Sequence, residues 1–124
     1  MQMRTSSVVA SLLTALLAAC SGDQGPAAPP YTETGRQGIV RVVVVTPDVA
    51  RDADQLWRIA EHLRGRDQAI QVMFWTDKAQ APSQPPPTTA QLRTQVAQIN
   101  VNGFSGQREL RPLNGHYFAA AKQP

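Results

Sequence analysis

The fold is decided by Ile39–Thr76, which reads IVRVVVVTPDVARDADQLWRIAEHLRGRDQAIQVMFWT. The first part, Ile39–Thr46, is dominated by β-branched valines and predicts a central strand that is covered on both faces. Pro47 ends this strand, because proline has no N–H to donate to a strand ladder. The last part, Ile70–Thr76, is rich in β-branched and aromatic residues and predicts a second strand.

Between these strands, Asp52–Arg64 has the pattern of an amphipathic helix. Asp52 is in place to act as the N-cap, with Gln55 three residues further on, as in a capping box. Gly65 supplies the left-handed residue that commonly ends a helix. The apolar stripe comprises Ala53, Leu56, Ala60 and Leu63, flanked by Trp57 and Ile59. A strand, a helix and a strand with short connections predict a βαβ unit with parallel strands and a right-handed crossover.

A single helix can cover only one face of this sheet. Either Val72 and Phe74 or Met73 and Trp75 therefore need cover from another part of the chain. A sheet face or edge that stays uncovered would be available to a partner.

The rest of the chain is predicted to complete a small single domain of the α/β (α+β) class. Ala79–Pro87 (AQAPSQPPP) is rich in proline and is expected to form a stiff, solvated surface loop. Thr88–Asn102 fits both a helical and a strand pattern. We expect a helical turn over Thr89–Arg93, followed by a β-hairpin of Gln95–Asn102 with Gln107–Leu113.

The first twenty residues have the three zones of an export signal. Met1–Ser7 is polar and carries one positive charge, Val8–Ala19 is apolar and uncharged, and a polar run begins at Ser21. The apolar zone has about a dozen residues, fewer than the roughly twenty that a membrane-spanning helix needs. The sequence therefore predicts a signal peptide that is removed, and no permanent transmembrane helix.

The end of this signal, Leu17-Ala18-Ala19-Cys20, resembles the lipobox of bacterial lipoproteins. The resemblance implies cleavage between Ala19 and Cys20, diacylglycerol on the Cys20 sulfur, and acylation of the new amino terminus. The alternative is an ordinary signal peptide that is cut near Ala18–Ser21. Cys20 is the only cysteine, and a chain with one cysteine cannot form an internal disulfide in an oxidising compartment. In this class, a residue such as Ser21 after the cysteine favours the periplasmic face of the outer membrane.

These observations divide the chain into four parts. They are a signal peptide (1–19), a lipidated N-terminus with a flexible linker (20–38), a small α/β domain (39–118) with its Pro-rich loop (79–87), and a disordered tail (119–124). The linker is rich in glycine and proline, and it would allow the domain to lie up to roughly 50 Å from the lipid at about 3 Å per residue. The chain is expected to fray from Asn114 onward.

The charge pattern argues against a nucleic-acid partner. The chain carries 12 Lys and Arg against 9 Asp and Glu, a formal net charge of +3. Its arginines lie among acidic residues, as in Arg51-Asp52 and Arg66-Asp67, and form no basic cluster. His62 and His116 lack the spacing of metal ligands. We therefore expect no nucleic acid, no metal and no cofactor.

Asp48 and Asp77 are the candidate site residues, since each follows a predicted strand. The carboxyl ends of parallel strands share one sheet edge, where binding clefts often form. Paired carboxylates there could bind a metal or perform acid–base chemistry. The alternative is that both aspartates form turns and cap helices.

Three functions from different classes remain open. The favoured one is a membrane-anchored envelope lipoprotein that acts by non-catalytic contact with an envelope protein or the cell wall. The second is a small hydrolase or metal-dependent enzyme that uses Asp48 and Asp77. The third is a periplasmic carrier of a small ligand. The first is favoured because it needs no catalytic motif, and the sequence contains neither a nucleophile elbow nor a phosphate-binding loop.

The resemblance to a lipobox predicts that Cys20 carries lipid, and this prediction can be tested by substitution. Replacement of Cys20 by alanine removes the atom that would carry the lipid. Cys20→Ala should therefore abolish labelling by palmitate and either release the protein from membranes or leave an uncleaved precursor. Radiolabelling and membrane fractionation measure both effects. A wild-type protein that takes up no palmitate and fractionates as soluble would contradict the prediction.

Overall fold

The computed structural model describes residues 27–120, which form one five-stranded sheet with helices packed against it. Several predicted features lie outside the described residues. They are the signal peptide, the predicted cleavage site after Ala19, the predicted lipidation of Cys20, and residues 121–124 of the predicted tail. The elements in chain order are β1 (Thr32–Gln37), β2 (Val40–Val44), α1 (Pro47–Ala50), α2 (Ala53–Arg64), β3 (Ala69–Trp75), a 3₁₀ turn (Lys78–Gln80), α3 (Thr89–Leu92), β4 (Ala97–Asn102) and β5 (Gln107–Pro112).

The strands are arranged in the order of the sequence, from β1 at one edge to β5 at the other. β2 and β3 are parallel, with Val40 opposite Gln71 and Val44 opposite Trp75. All other neighbouring strands are antiparallel. The predicted parallel βαβ unit, the helical turn and the β4–β5 hairpin are confirmed, and the domain has an α+β fold with a mixed sheet.

Helix α2 begins and ends where its capping residues require. The Asp52 carboxylate accepts hydrogen bonds from the backbone N–H of Gln55 (3.2 Å) and from its side-chain amide (2.8 Å). Gly65 follows the helix with φ of 57°, in the left-handed region that residues with a Cβ rarely adopt. These two caps fix the length of the crossover between β2 and β3.

One face of the sheet packs against α2 and forms the main core. Leu56 and Ile59 of the helix are fully buried against Phe74 of β3 and Ile99 of β4. The other buried members of this core are Val43, Val45, Val49, Ala50, Ala60, Ile70, Val72, Ala97 and Val101. Of the two alternatives for the β3 side chains, Val72 and Phe74 therefore face the helix.

The opposite face of β2 and β3 is covered by the Pro-rich segment. Val42, Met73 and Trp75 form a second buried cluster against which Ala81 packs. Pro82 and Pro85 are also buried. The expectation of a solvated loop at 79–87 was wrong in this respect, because the segment supplies the apolar cover that this sheet face needs.

A strand in the predicted linker corrects the domain boundary. β1 lies within residues 20–38 and pairs with β2 although its sequence, TETGRQ, has no apolar alternation. Its stability comes from the edge position, where main-chain pairing needs little side-chain burial. Gly35 packs so tightly on the Pro-rich segment that a Cβ would lie 2.9 Å from the Ser83 carbonyl oxygen. The Thr34 hydroxyl donates to the carbonyl of Pro82 (3.0 Å).

The segment after β5 packs on the domain, contrary to the expectation that the chain frays from Asn114. The Asn114 amide donates to the carbonyls of Leu92 and Gln95, both at 2.8 Å. Phe118 packs against the main core. Ala119 is the first residue of the predicted tail, and its backbone N–H donates a hydrogen bond to the carbonyl of Arg51 (2.8 Å).

Leu56 tests the packing of α2. It is fully buried, so Leu56→Ala should cost about 2–5 kcal/mol of stability. A domain of this size loses about 4–8 °C in melting temperature per kcal/mol, which thermal unfolding followed by circular dichroism measures. The matched control is Leu92→Ala, since Leu92 is 44% exposed, and its melting temperature should change little. Equal effects of the two substitutions would contradict this placement of the helix.

Candidate functional site

A continuous polar surface lies on the half of the sheet that the Pro-rich segment does not cover. It occupies β3, β4 and β5 on the same side as Met73, because residues directly opposite each other on antiparallel strands share a face. Gln98 lies opposite Met73, and Asn100 lies opposite both Gln71 and Glu109. We call this surface the amide face, and it consists of Gln71, Gln98, Asn100, Asn102, Gln107, Glu109 and Arg111.

The amide face arises from the alternation in β4. Ala97, Ile99 and Val101 are buried under α2, whereas the intervening Gln98 and Asn100 are only partly buried. Successive side chains of a strand point to opposite faces. The apolar residues that hold β4 to the core therefore force its amide side chains onto the opposite side.

A buried glutamine positions the amide side chains. Gln95 is 2% exposed, and its amide nitrogen donates to the carbonyl of Ala97 (3.0 Å) and to Oε1 of Gln98 (3.2 Å). Gln98 Nε2 in turn donates to Oδ1 of Asn100 (3.3 Å). This chain of hydrogen bonds fixes which amide atoms act as donors and which act as acceptors.

The amide face carries no net charge. Its two charged residues, Glu109 and Arg111, form an ion pair of 2.8 Å with each other. The five remaining side chains of the face are uncharged amides. The surface therefore has many hydrogen-bonding groups but no field that would attract a polyanion.

Asp48 and Asp77, the site residues expected from the sequence, are both exposed and have separate surroundings. Asp48 lies in the first turn of α1. The Asp77 carboxylate accepts a hydrogen bond from the backbone N–H of Ala79 (2.9 Å) and caps the 3₁₀ turn. Helix capping, the alternative considered for both residues, thus accounts for Asp77.

A cleft of about 490 Å³ lies beside Asp48. It lies between α1, the start of α2 and the segment after β5, and Asp77 is not among the residues that line it. The lining residues are Asp48, Arg51, Asp52, Ala53, Asp54, Ala119 and Ala120. The two predicted site residues therefore do not share this cleft.

The two histidines have structural surroundings. The His62 ring packs edge-on against Tyr31, with 6.1 Å between ring centroids. His116 Nε2 lies 2.6 Å from the carbonyl oxygen of Ala50 and helps to hold the C-terminal segment. Within residues 27–120, no group of three His, Cys, Asp or Glu side chains is arranged to hold a metal ion. None of the helices in this range is long and apolar enough to span a membrane.

Sequence reasoning missed the amide face, although it left a signal. Gln98, Asn100 and Asn102 alternate with apolar residues, which predicts a strand with one polar side. The partners Gln71, Glu109 and Arg111 become visible only when the strand register is known.

Comparison of the chain with protein-family models, with curated proteins and with solved structures finds no match in any of the three.

The cap of α2 yields a prediction of pH dependence. The hydrogen bond from the Gln55 side chain lowers the pKa of Asp52 below its ordinary value of 3.8. Desolvation opposes this lowering of the pKa, and backbone N–H groups add to it. A lowered pKa in the folded state adds stability above the unfolded pKa of about 3.9, and this contribution disappears as the pH falls through the folded value.

Asp52→Asn retains the capping oxygen but removes the titration. In urea unfolding at a series of pH values, the wild type should be the more stable protein near neutrality, and its advantage should shrink below about pH 4. Asp52→Ala, which loses the cap, should cost about 0.5–2 kcal/mol. If the difference in the free energy of unfolding between wild type and Asp52→Asn stayed constant down to the lowest pH, the lowered pKa of Asp52 would be contradicted.

Proposed function

We propose that the protein is a bacterial envelope lipoprotein that works by non-catalytic contact through the amide face. In this proposal it is exported, cleaved before Cys20 and held by lipid at a membrane, with the periplasmic face of the outer membrane favoured by Ser21. The observation that carries the binding role is the row of positioned amide side chains on a rigid three-stranded surface.

The short connection between Cys20 and the domain supports a role at the membrane surface. Ala28 is the first described residue that packs against the core. The seven residues from Ser21 to Ala27 can span at most about 25 Å, since an extended chain covers about 3.3–3.6 Å per residue. At the same length per residue, this is about two fifths of the reach that a linker extending to residue 38 would give. A lipid on Cys20 would therefore keep the domain close to the bilayer.

The direction from which the chain enters the domain leaves the amide face accessible. The chain enters the sheet at Thr32, in the edge strand β1. The amide face lies on β3–β5, towards the other edge of the sheet. An anchor at the β1 edge and a binding surface at the β5 side can thus operate together.

The arrangement supports binding more than catalysis. The enzyme alternative required Asp48 and Asp77 to act as a pair, and Asp77 caps a turn outside the cleft that Asp48 lines. The amide side chains of Gln98 and Asn100 are neither nucleophiles nor acid–base groups at physiological pH. Their chemistry is that of hydrogen-bond recognition.

Complementation of a deletion strain distinguishes contact from catalysis. The double variant Asp48→Asn/Asp77→Asn keeps side-chain size and capping oxygens, and it should restore the wild-type phenotype. The double variant Gln98→Ala/Asn100→Ala removes the centre of the amide face and should fail, although it folds and reaches the membrane. Loss of function in the aspartate variant, with the amide variant fully active, would overturn the proposal in favour of an enzyme or metal site.

A further inference from the structure

The amide face has the hydrogen-bonding groups that are needed to bind hydroxyl groups of a ligand. Each glutamine or asparagine side chain offers two N–H donors and a carbonyl acceptor. A sugar hydroxyl both donates and accepts, and an acetamido group does the same, so an amide can pair with either. Asn100 Oδ1 accepts a hydrogen bond from Gln98 Nε2. Within residues 27–120 the Asn100 Nδ2 donates no hydrogen bond to the protein, so its two N–H groups can pair with a ligand or with water.

The electrical neutrality of the face restricts the ligand. Glu109 and Arg111 neutralise each other at 2.8 Å. Surfaces that bind phosphate polymers or anionic lipid headgroups present unpaired Lys or Arg, which this face does not. A neutral ligand that is rich in hydroxyl and amide groups satisfies the surface without leaving a charge unpaired.

The absence of apolar anchors on the amide face argues against a protein partner. Protein interfaces depend on aromatic, Arg or other large anchors at a desolvated centre. At the centre of this face lie Gln98 and Asn100, while the apolar residues Met73 and Trp75 on the same side belong to the cluster under the Pro-rich segment. Within the described part of the chain, no large apolar side chain is available at that centre.

We infer that the amide face binds the glycan strand of the bacterial cell wall, through its hydroxyl and acetamido groups. This inference rests on the proposed function, since it names the ligand of the same surface. Three strands at about 4.8 Å spacing and four residue steps along β4 give a surface of about 10 by 13 Å. An extended polymer can lie across it and contact side chains of all three strands.

Gln95 is the positioning residue of this site. Its buried amide nitrogen donates one hydrogen bond to the carbonyl of Ala97 and one to Oε1 of Gln98. The Gln98 amide is thereby oriented before the ligand arrives. Pre-ordered side chains lose less conformational entropy on binding, which favours recognition of a flexible sugar polymer.

The test uses the full chain in detergent micelles with two probes. Tetra-N-acetylchitotetraose, a soluble oligomer of N-acetylglucosamine, is titrated by calorimetry, and purified cell-wall sacculi are used in sedimentation. The wild type should bind both probes, with little dependence on salt because the contacts are uncharged. Gln98→Ala/Asn100→Ala should weaken binding about tenfold or more, through the loss of two sets of hydrogen bonds.

The matched control is Gln80→Ala/Gln84→Ala. Both residues are exposed, and both lie in the Pro-rich segment, outside the amide face. This variant should bind like the wild type. Thermal unfolding of both double variants confirms that they fold, so weakened binding reports the surface itself.

Two results would overturn the glycan assignment. One is a wild type that does not bind tetra-N-acetylchitotetraose, and the other is equal binding by the two double variants. If the amide variant also fails in complementation, or if a protein is captured through the amide face, the proposed function stands and only the ligand is wrong. An amide variant that complements fully would instead refute the proposed function.

Discussion

The structure depends on one parallel pair of strands, β2 and β3, whose two faces must both be shielded from water. Helix α2 connects these strands and covers Val43 and Phe74 on one face. The other face, with Val42 and Trp75, is covered by the chain that follows β3. The Trp75 indole N–H donates to the carbonyl of Gln91 (3.0 Å) and so attaches this covering segment at its far end. The need to cover both faces of β2 and β3 thus accounts for the helix before β3 and for the covering segment after it.

The other face of the sheet needs less cover on the side of β4 and β5, where the amide face lies. An antiparallel pair can keep one face in water, so β4 and β5 need burial only on the side of α2. Their inner side chains, such as Ile99 and Leu110, pack against the main core. Gln98 and Asn100 face outward because strand geometry leaves them no other side. The burial of apolar β4 and β5 side chains under α2 thus determines where the amide face lies. The residue types on the amide face determine which groups it can hydrogen-bond.

The sequence predicts most of the fold because its signals are local. Asp52 and Gly65 mark the ends of α2, and valine-rich or aromatic runs mark β2 and β3. β1 could not be predicted in this way, since its residues are polar and its pairing with β2 is a long-range main-chain interaction. The cover provided by Pro82 and the packing of Asn114 likewise depend on contacts with distant parts of the chain.

The same distinction explains why sequence reasoning found aspartates and not amides. A carboxylate after a strand is conspicuous in a sequence, but Asp77 is accounted for by the backbone N–H of Ala79, and Asp48 lies in the first turn of α1. Gln71, Asn100 and Glu109 are unremarkable where they stand in the sequence, yet the strand register places them in one row. A polar surface assembled from side chains on separate strands has no sequence motif of its own. It is visible only once the pairing of the strands is known.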